Sequence, residues 1–106
     1  MLFGKKRSYD DFKKQMSPVI LPIFDSLRDF CFSLGKNVVE DIRMHRIVFC
    51  KSMIFRWFLD MEPQNESIKI KIQKDRKGPQ EILLIKTNKD VEYAKVLIQS
   101  AYNTIH

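Results

Sequence analysis

Ser67-Ile68-Lys69-Ile70-Lys71-Ile72-Gln73-Lys74, continued by Asp75-Arg76-Lys77-Gly78-Pro79, is the stretch on which the fold turns. Apolar and cationic residues alternate strictly along its first part. Successive side chains of an extended chain point to opposite faces, so three isoleucines share one face and the lysines share the other. The stretch reads as a half-buried β-strand that runs into a basic turn, with Gly78 and Pro79 as the turn formers.

Working outward, period-two patterning extends from Asp41 to Lys86 and predicts four strands, roughly 42–50, 53–61, 67–74 and 80–86. Met53, Phe55, Trp57, Leu59 and Met61 form one wholly apolar face of the second strand. Ile54, Arg56, Phe58 and Asp60 form a mixed one. The connections are Lys51-Ser52, Glu62 to Glu66 and Asp75 to Pro79. Links this short join only antiparallel neighbours, because a parallel return needs a crossover of a dozen or more residues. The first strand has two possible registers. Its open face carries either Arg43, His45, Ile47 and Phe49, or Ile42, Met44, Arg46 and Val48.

Helical spacing flanks this region. Ser8 is a cap for a short helix through Met16, with Asp10 and Asp11 near its positive end. Ser17-Pro18 opens a second helix whose stripe is Ile20, Ile23, Phe24, Leu27, Phe30, Cys31 and Leu34. Gly35 marks its stop, and Pro22 kinks it or delays its regular start. Phe32 lies off the stripe. Thr87-Asn88-Lys89-Asp90 has the form of a capping box, and Val91, Ala94, Ile98, Ala101, Tyr102 and Ile105 trace a final helix. The expected fold is α+β, a four-stranded antiparallel meander with the N-terminal and C-terminal helices packed on one face.

The 106 residues suit one domain, 1–106, with residues 1–7 as a flexible basic leader. At 44% hydrophobic and 30% charged, the chain is too apolar for a disordered tail. Its net charge of +6 is concentrated. Lys5, Lys6 and Arg7 form one basic segment, residues 67–79 form the other, and the remainder is nearly neutral. The N-terminus lacks the apolar core of a signal peptide, and no apolar run approaches the roughly 20 residues of a membrane helix. A cytoplasmic location follows as the expectation, with no membrane partner and with Cys31 and Cys50 as free thiols. Without CxxC spacing or a cysteine–histidine cluster no metal site is expected. Gly4, Gly35 and Gly78 are isolated, so no nucleotide loop is present and no cofactor is implied.

Two functional readings follow. In the first, a small basic accessory domain contacts nucleic-acid phosphate or another polyanion, without catalysis, through Lys69, Lys71, Lys74, Arg76, Lys77 and Arg56. Release of counterions from about five phosphates would give a log–log salt slope of roughly −3.5 to −4.5. In the second, Ile54 and Phe58 on an uncovered sheet face form an apolar patch for a homodimer or a larger protein partner. An enzyme finds little support. His45 is the only internal histidine, and Cys50 lies an odd number of residues away, on the opposite face of a regular strand. Asp60, Glu62 and Glu66 around a Pro-containing turn read as a solvated loop.

Phe58-Leu59-Asp60-Met61-Glu62-Pro63-Gln64, followed by an isoleucine–lysine strand and later by Ala101-Tyr102, resembles small prokaryotic domains known as domain of unknown function 5655. The likeness spans roughly residues 20–105. Some members look like appendages of restriction-type nucleases, and others carry a predicted-transport label. The resemblance implies an accessory or binding domain and carries over no catalytic residue. The chain departs from that pattern in its two-proline N-terminal helix and its basic leader.

Overall fold

The computed structural model describes residues 7–53, 56–75 and 78–105; residues 1–6 of the basic leader lie outside them. The isoleucine–lysine stretch forms strand β4 (Ile68–Ile72), as its alternation predicts. Ile68, Ile70 and Ile72 are each at most 1% exposed, whereas Lys69 and Lys71 are half-buried. The sheet contains five strands and not four, in the order β1 (Val39–Ile42), β2 (Ile47–Cys50), β3 (Trp57–Pro63), β4 and β5 (Glu81–Ile85). Each strand is antiparallel to the next.

The extra strand arises because the expected first strand breaks in two. The chain reverses over Arg43–Arg46, where the Arg43 N–H donates to the Arg46 carbonyl at 2.8 Å. No Gly, Pro or Asn marks that reversal, so nothing in the local composition announces it. The reversal also settles the register. Ile42 pairs with Ile47 on the helix side, Phe49 shares that side, and Val48 faces the other way opposite Asp60.

A second departure lies at the start of β3. Phe49 pairs with Leu59, but Cys50 pairs with Trp57, so Phe58 is an extra residue opposite the Phe49–Cys50 step. Such a bulge breaks the alternation of faces. Phe58 is thereby turned into the core, fully buried, with its ring edge-on to Tyr102 at 5.5 Å. Trp57 takes the place of Cys50's partner on the opposite face and stays half-buried. The assignment of Trp57 to the core and Phe58 to the open face is therefore reversed.

The helices lie on the isoleucine side. α1 (Tyr9–Phe12) is capped by the Ser8 hydroxyl and runs on as one 3₁₀ turn over Lys13–Gln15. α2 (Leu21–Ser33) starts four residues later than Ser17, with Pro22 in its first turn. Ser17 instead donates its hydroxyl to the Asn65 carbonyl at 2.8 Å, which ties the N-terminal segment to the β3–β4 turn. α3 (Asn88–Thr104) has the expected capping box: the Asp90 N–H donates to Thr87 Oγ1, and the Asp90 carboxylate accepts from the Thr87 and Lys86 N–H groups. Those bonds, the one from Lys86 first, hold the Asp90 carboxyl below its usual range. Phe24, Leu27 and Cys31 of α2 and Ala94, Ile98 and Ala101 of α3 close over the sheet. No helix among the described residues is long and apolar enough to cross a membrane.

Gly35 has a spatial reason to be glycine. A Cβ there would overlap the Tyr102 hydroxyl oxygen and lie 3.2 Å from ring carbon Cζ. The Tyr102 ring cannot swing aside freely, held between Phe58 and the Lys51 ammonium, which lies 4.9 Å from its centroid.

Substitutions at two places test this packing. Phe58→Ala should cost about 3–5 kcal/mol in urea unfolding and Trp57→Ala clearly less; the reverse order would contradict the bulge. Gly35→Ala should destabilise by about 1–3 kcal/mol through overpacking. Removing the opposing hydroxyl should relieve it, so Gly35→Ala/Tyr102→Phe should be less destabilised than the sum of the single changes.

Candidate interaction surface

The face away from the helices collects charged side chains from three strands, β1, β3 and β4, and from Arg46 in the β1–β2 turn. Across one row run Asp41, Val48, Asp60, Lys71 and Ile82; across the next run Arg46, Glu62, Lys69 and Leu84. Arg46 joins the rows, with Nη1 3.2 Å from the Asp60 carboxylate and Nη2 3.5 Å from that of Glu62. Lys71 stands directly opposite Asp60, and Lys69 opposite Glu62. Arg46, Lys69 and Lys71 are thus set among Asp41, Asp60 and Glu62, and opposite charges placed across strands stabilise the pairing. Lys74 approaches Glu81 at 3.9 Å.

Of the residues anticipated as an anion site, four are among the described residues. Lys69 and Lys71 share the open face with carboxylates, Lys74 lies beyond the end of β4, and Arg56 is exposed just before β3. Arg76, Lys77 and Ile54 lie outside the described residues. Phe58 is in the core and offers no surface. His45 is exposed at the tip of the β1–β2 turn. Burial pushes the thiols of Cys31 and Cys50 up, which disfavours the reactive thiolate form. Among the described residues no three His, Cys, Asp or Glu side chains are grouped to hold a metal ion.

The apolar surface lies elsewhere, on the last strand. Ile82 and Leu84 are 56% and 54% exposed. They lie on the open face of β5, flanked on one side by Lys71 and Lys69 and, among the described residues, by no strand on the other. The sequence carries a sign of this in the unbroken run Ile82-Leu83-Leu84-Ile85. A continuous apolar run suits a strand covered on both faces, yet the meander leaves one face of β5 open.

A groove of about 570 Å³ opens at the opposite edge of the sheet, lined among others by Tyr9, Arg28, Phe32, Val38 and Glu40. The Arg28 guanidinium grips the Glu40 carboxylate with two hydrogen bonds, Nη2 to Oε1 at 3.1 Å and Nε to Oε2. It also stacks 3.9 Å from the centroid of the Tyr9 ring. Tyr9 in turn donates its hydroxyl to Asp25, and burial together with that bond raises its phenol far above the usual range. With its charge matched by Glu40, Arg28 acts as a clamp between α1, α2 and β1.

Arg28→Ala would leave the Glu40 carboxylate, 11% exposed, without its partner. Thermal unfolding should report a loss of about 1–3 kcal/mol, discounted from the cost of breaking a fully buried pair. Glu40→Gln, which keeps an acceptor for the guanidinium, should lose less. No protein-family model, curated protein or solved structure matches the chain.

Proposed function

We propose that the protein is a non-catalytic interaction module that self-associates through its last strand, β5. The observation that carries this reading is the pair Ile82 and Leu84, both more than half exposed on an edge strand. Exposed apolar side chains beside unpaired backbone groups favour the addition of another strand. The face next to them favours a protein partner over a polyanion, because Lys69 and Lys71 stand across from Glu62 and Asp60 there and the charges are mixed. Contact with nucleic-acid phosphate is the second reading; it rests on the net charge of +6 and would draw on Arg56 and the basic segment 67–79. The likeness to domain of unknown function 5655 agrees with an accessory role.

Light scattering over a concentration series is the direct test. The wild-type chain should pass from monomer to dimer, and Ile82→Lys/Leu84→Lys should remain monomeric with an unchanged circular dichroism spectrum. A wild-type chain that stays monomeric at every concentration rejects the proposal. Anisotropy with a single-stranded oligonucleotide separates the second reading, since phosphate contact requires binding that weakens with a slope near −3.5 to −4.5.

A further inference from the structure

Resting on self-association as just described, we infer that two copies join β5 to β5 about a two-fold axis centred on Leu83, making one continuous antiparallel sheet of ten strands. Three features of the strand lead to this geometry.

The first is the direction of the backbone groups. The Gln64 N–H donates to the Ser67 carbonyl at 2.8 Å, and the Gln73 N–H donates to the Phe58 carbonyl at 3.0 Å. Residues 67 and 73 therefore turn their backbone groups toward β3, as do 69 and 71 between them, because hydrogen-bonded pairs alternate along an antiparallel ladder. Ile68, Ile70 and Ile72 are left to bond to β5, where their partners are Ile85, Leu83 and Glu81. Ile82 and Leu84 consequently aim their N–H and C=O groups out of the sheet. The residues with exposed apolar side chains are those with outward backbone groups.

The second is register. A two-fold axis perpendicular to the sheet keeps both sets of helices on one side and pairs residues symmetrically about its centre. Centred on Leu83, it sets Ile82 opposite Leu84 of the second copy and Leu84 opposite Ile82. Centred on Ile82, it would set Leu84 opposite Gln80. Centred on Leu84, it would set Ile82 opposite Lys86. Only the Leu83 centre matches apolar to apolar twice, and it closes four backbone hydrogen bonds from the outward groups. An isologous contact of this kind stops at two copies.

The third is the helix side of the same edge. Lys95 lies over Phe30 of α2, its ammonium 5.6 Å from the ring centroid, and so marks the flank of α3 that faces α2. Tyr93 and Leu97, four residues apart, share the other flank of α3, the helix that packs on β5. Tyr93 is 59% exposed and Leu97 partly buried against the core. With Leu83, which also points to the helix side, they extend the apolar contact around the axis. Within β5 there is no Pro or Lys of the sort that blunts an edge.

Engineered cysteines test the register. At the centre, Leu83 and its counterpart form a pair without mutual hydrogen bonds, with Cα atoms about 4.5 Å apart, inside the range a disulfide spans. Ile82 and its counterpart are offset by two residues and lie about 8 Å apart, beyond that range. Under mild oxidation Leu83→Cys should give a covalent dimer on a non-reducing gel, while Ile82→Cys and the wild-type chain, with its own Cys31 and Cys50, should not. Circular dichroism verifies that each variant is folded. Leu84→Pro is the second arm. It removes an outward N–H that the monomer does not use, so the fold should persist while the dimer weakens by about tenfold or more. Association by light scattering without a Leu83→Cys cross-link, or with undiminished dimer in Leu84→Pro, overturns the geometry and leaves the interaction module standing. Absence of association in every assay overturns both.

Discussion

The structure depends on burial of one row of side chains. Ile68, Ile70 and Ile72 of β4 lie between Leu59, Met61 and Pro63 on one side and Glu81, Leu83 and Ile85 on the other, and the helices close over them. Each fully buried aliphatic side chain contributes on the order of 1.5–3 kcal/mol. With a side-chain period of two, that burial leaves β4 no freedom of register, since a slip of one residue would put lysines into the core. The positions of β3 and β5, and hence of α3 above them, follow from it.

The same constraint explains the charges. Once the isoleucines are inside, Lys69 and Lys71 must face out, and the strand partners they meet there are Glu62 and Asp60. Arg46 completes the pattern from the β1–β2 turn, with Asp60 only 8% exposed beneath it. The positive segment that dominates the charge tally is thus tempered by carboxylates distant in sequence. Lys69 and Lys71 therefore do not stand on the open face without carboxylates beside them.

Legibility followed the same lines. β4, β5, the Thr87 cap and the α3 stripe could be read because each is specified by its own residues. The break of the first strand could not be, because Arg43-Met44-His45-Arg46 contains no residue with a turn preference, and the pairing of Ile42 with Ile47 across it is a relation between strands. The exchange of Trp57 and Phe58 was hidden for a related reason: a bulge is a property of the pair of strands, set opposite Phe49 and Cys50, and alternation along β3 alone cannot show it. Of the candidate surface, the lysines of β4 were visible and the apolar edge was passed over. The expected meander already put the strand over 80–86 last, but nothing in that reading singled out Ile82 and Leu84.

That order makes the two edges of the sheet unequal. β1 is four residues long, carries Glu40 and Asp41, and is held down by the Arg28 clamp on one side and by the Arg43–Asp41 pair at 3.0 Å on the other. Charge and shortness are the usual protections of an exposed edge. β5 is one residue longer, its one charge, Glu81, sits at its start beside Lys74, and the other four residues are aliphatic. Ile85 belongs to the core and Leu83 packs against it, so the stability of the single chain accounts for those two. It does not account for Ile82 and Leu84, which face away from the helices. Their exposure adds nothing to the core of the single chain, which is why the proposed contact is placed at the outer edge of β5.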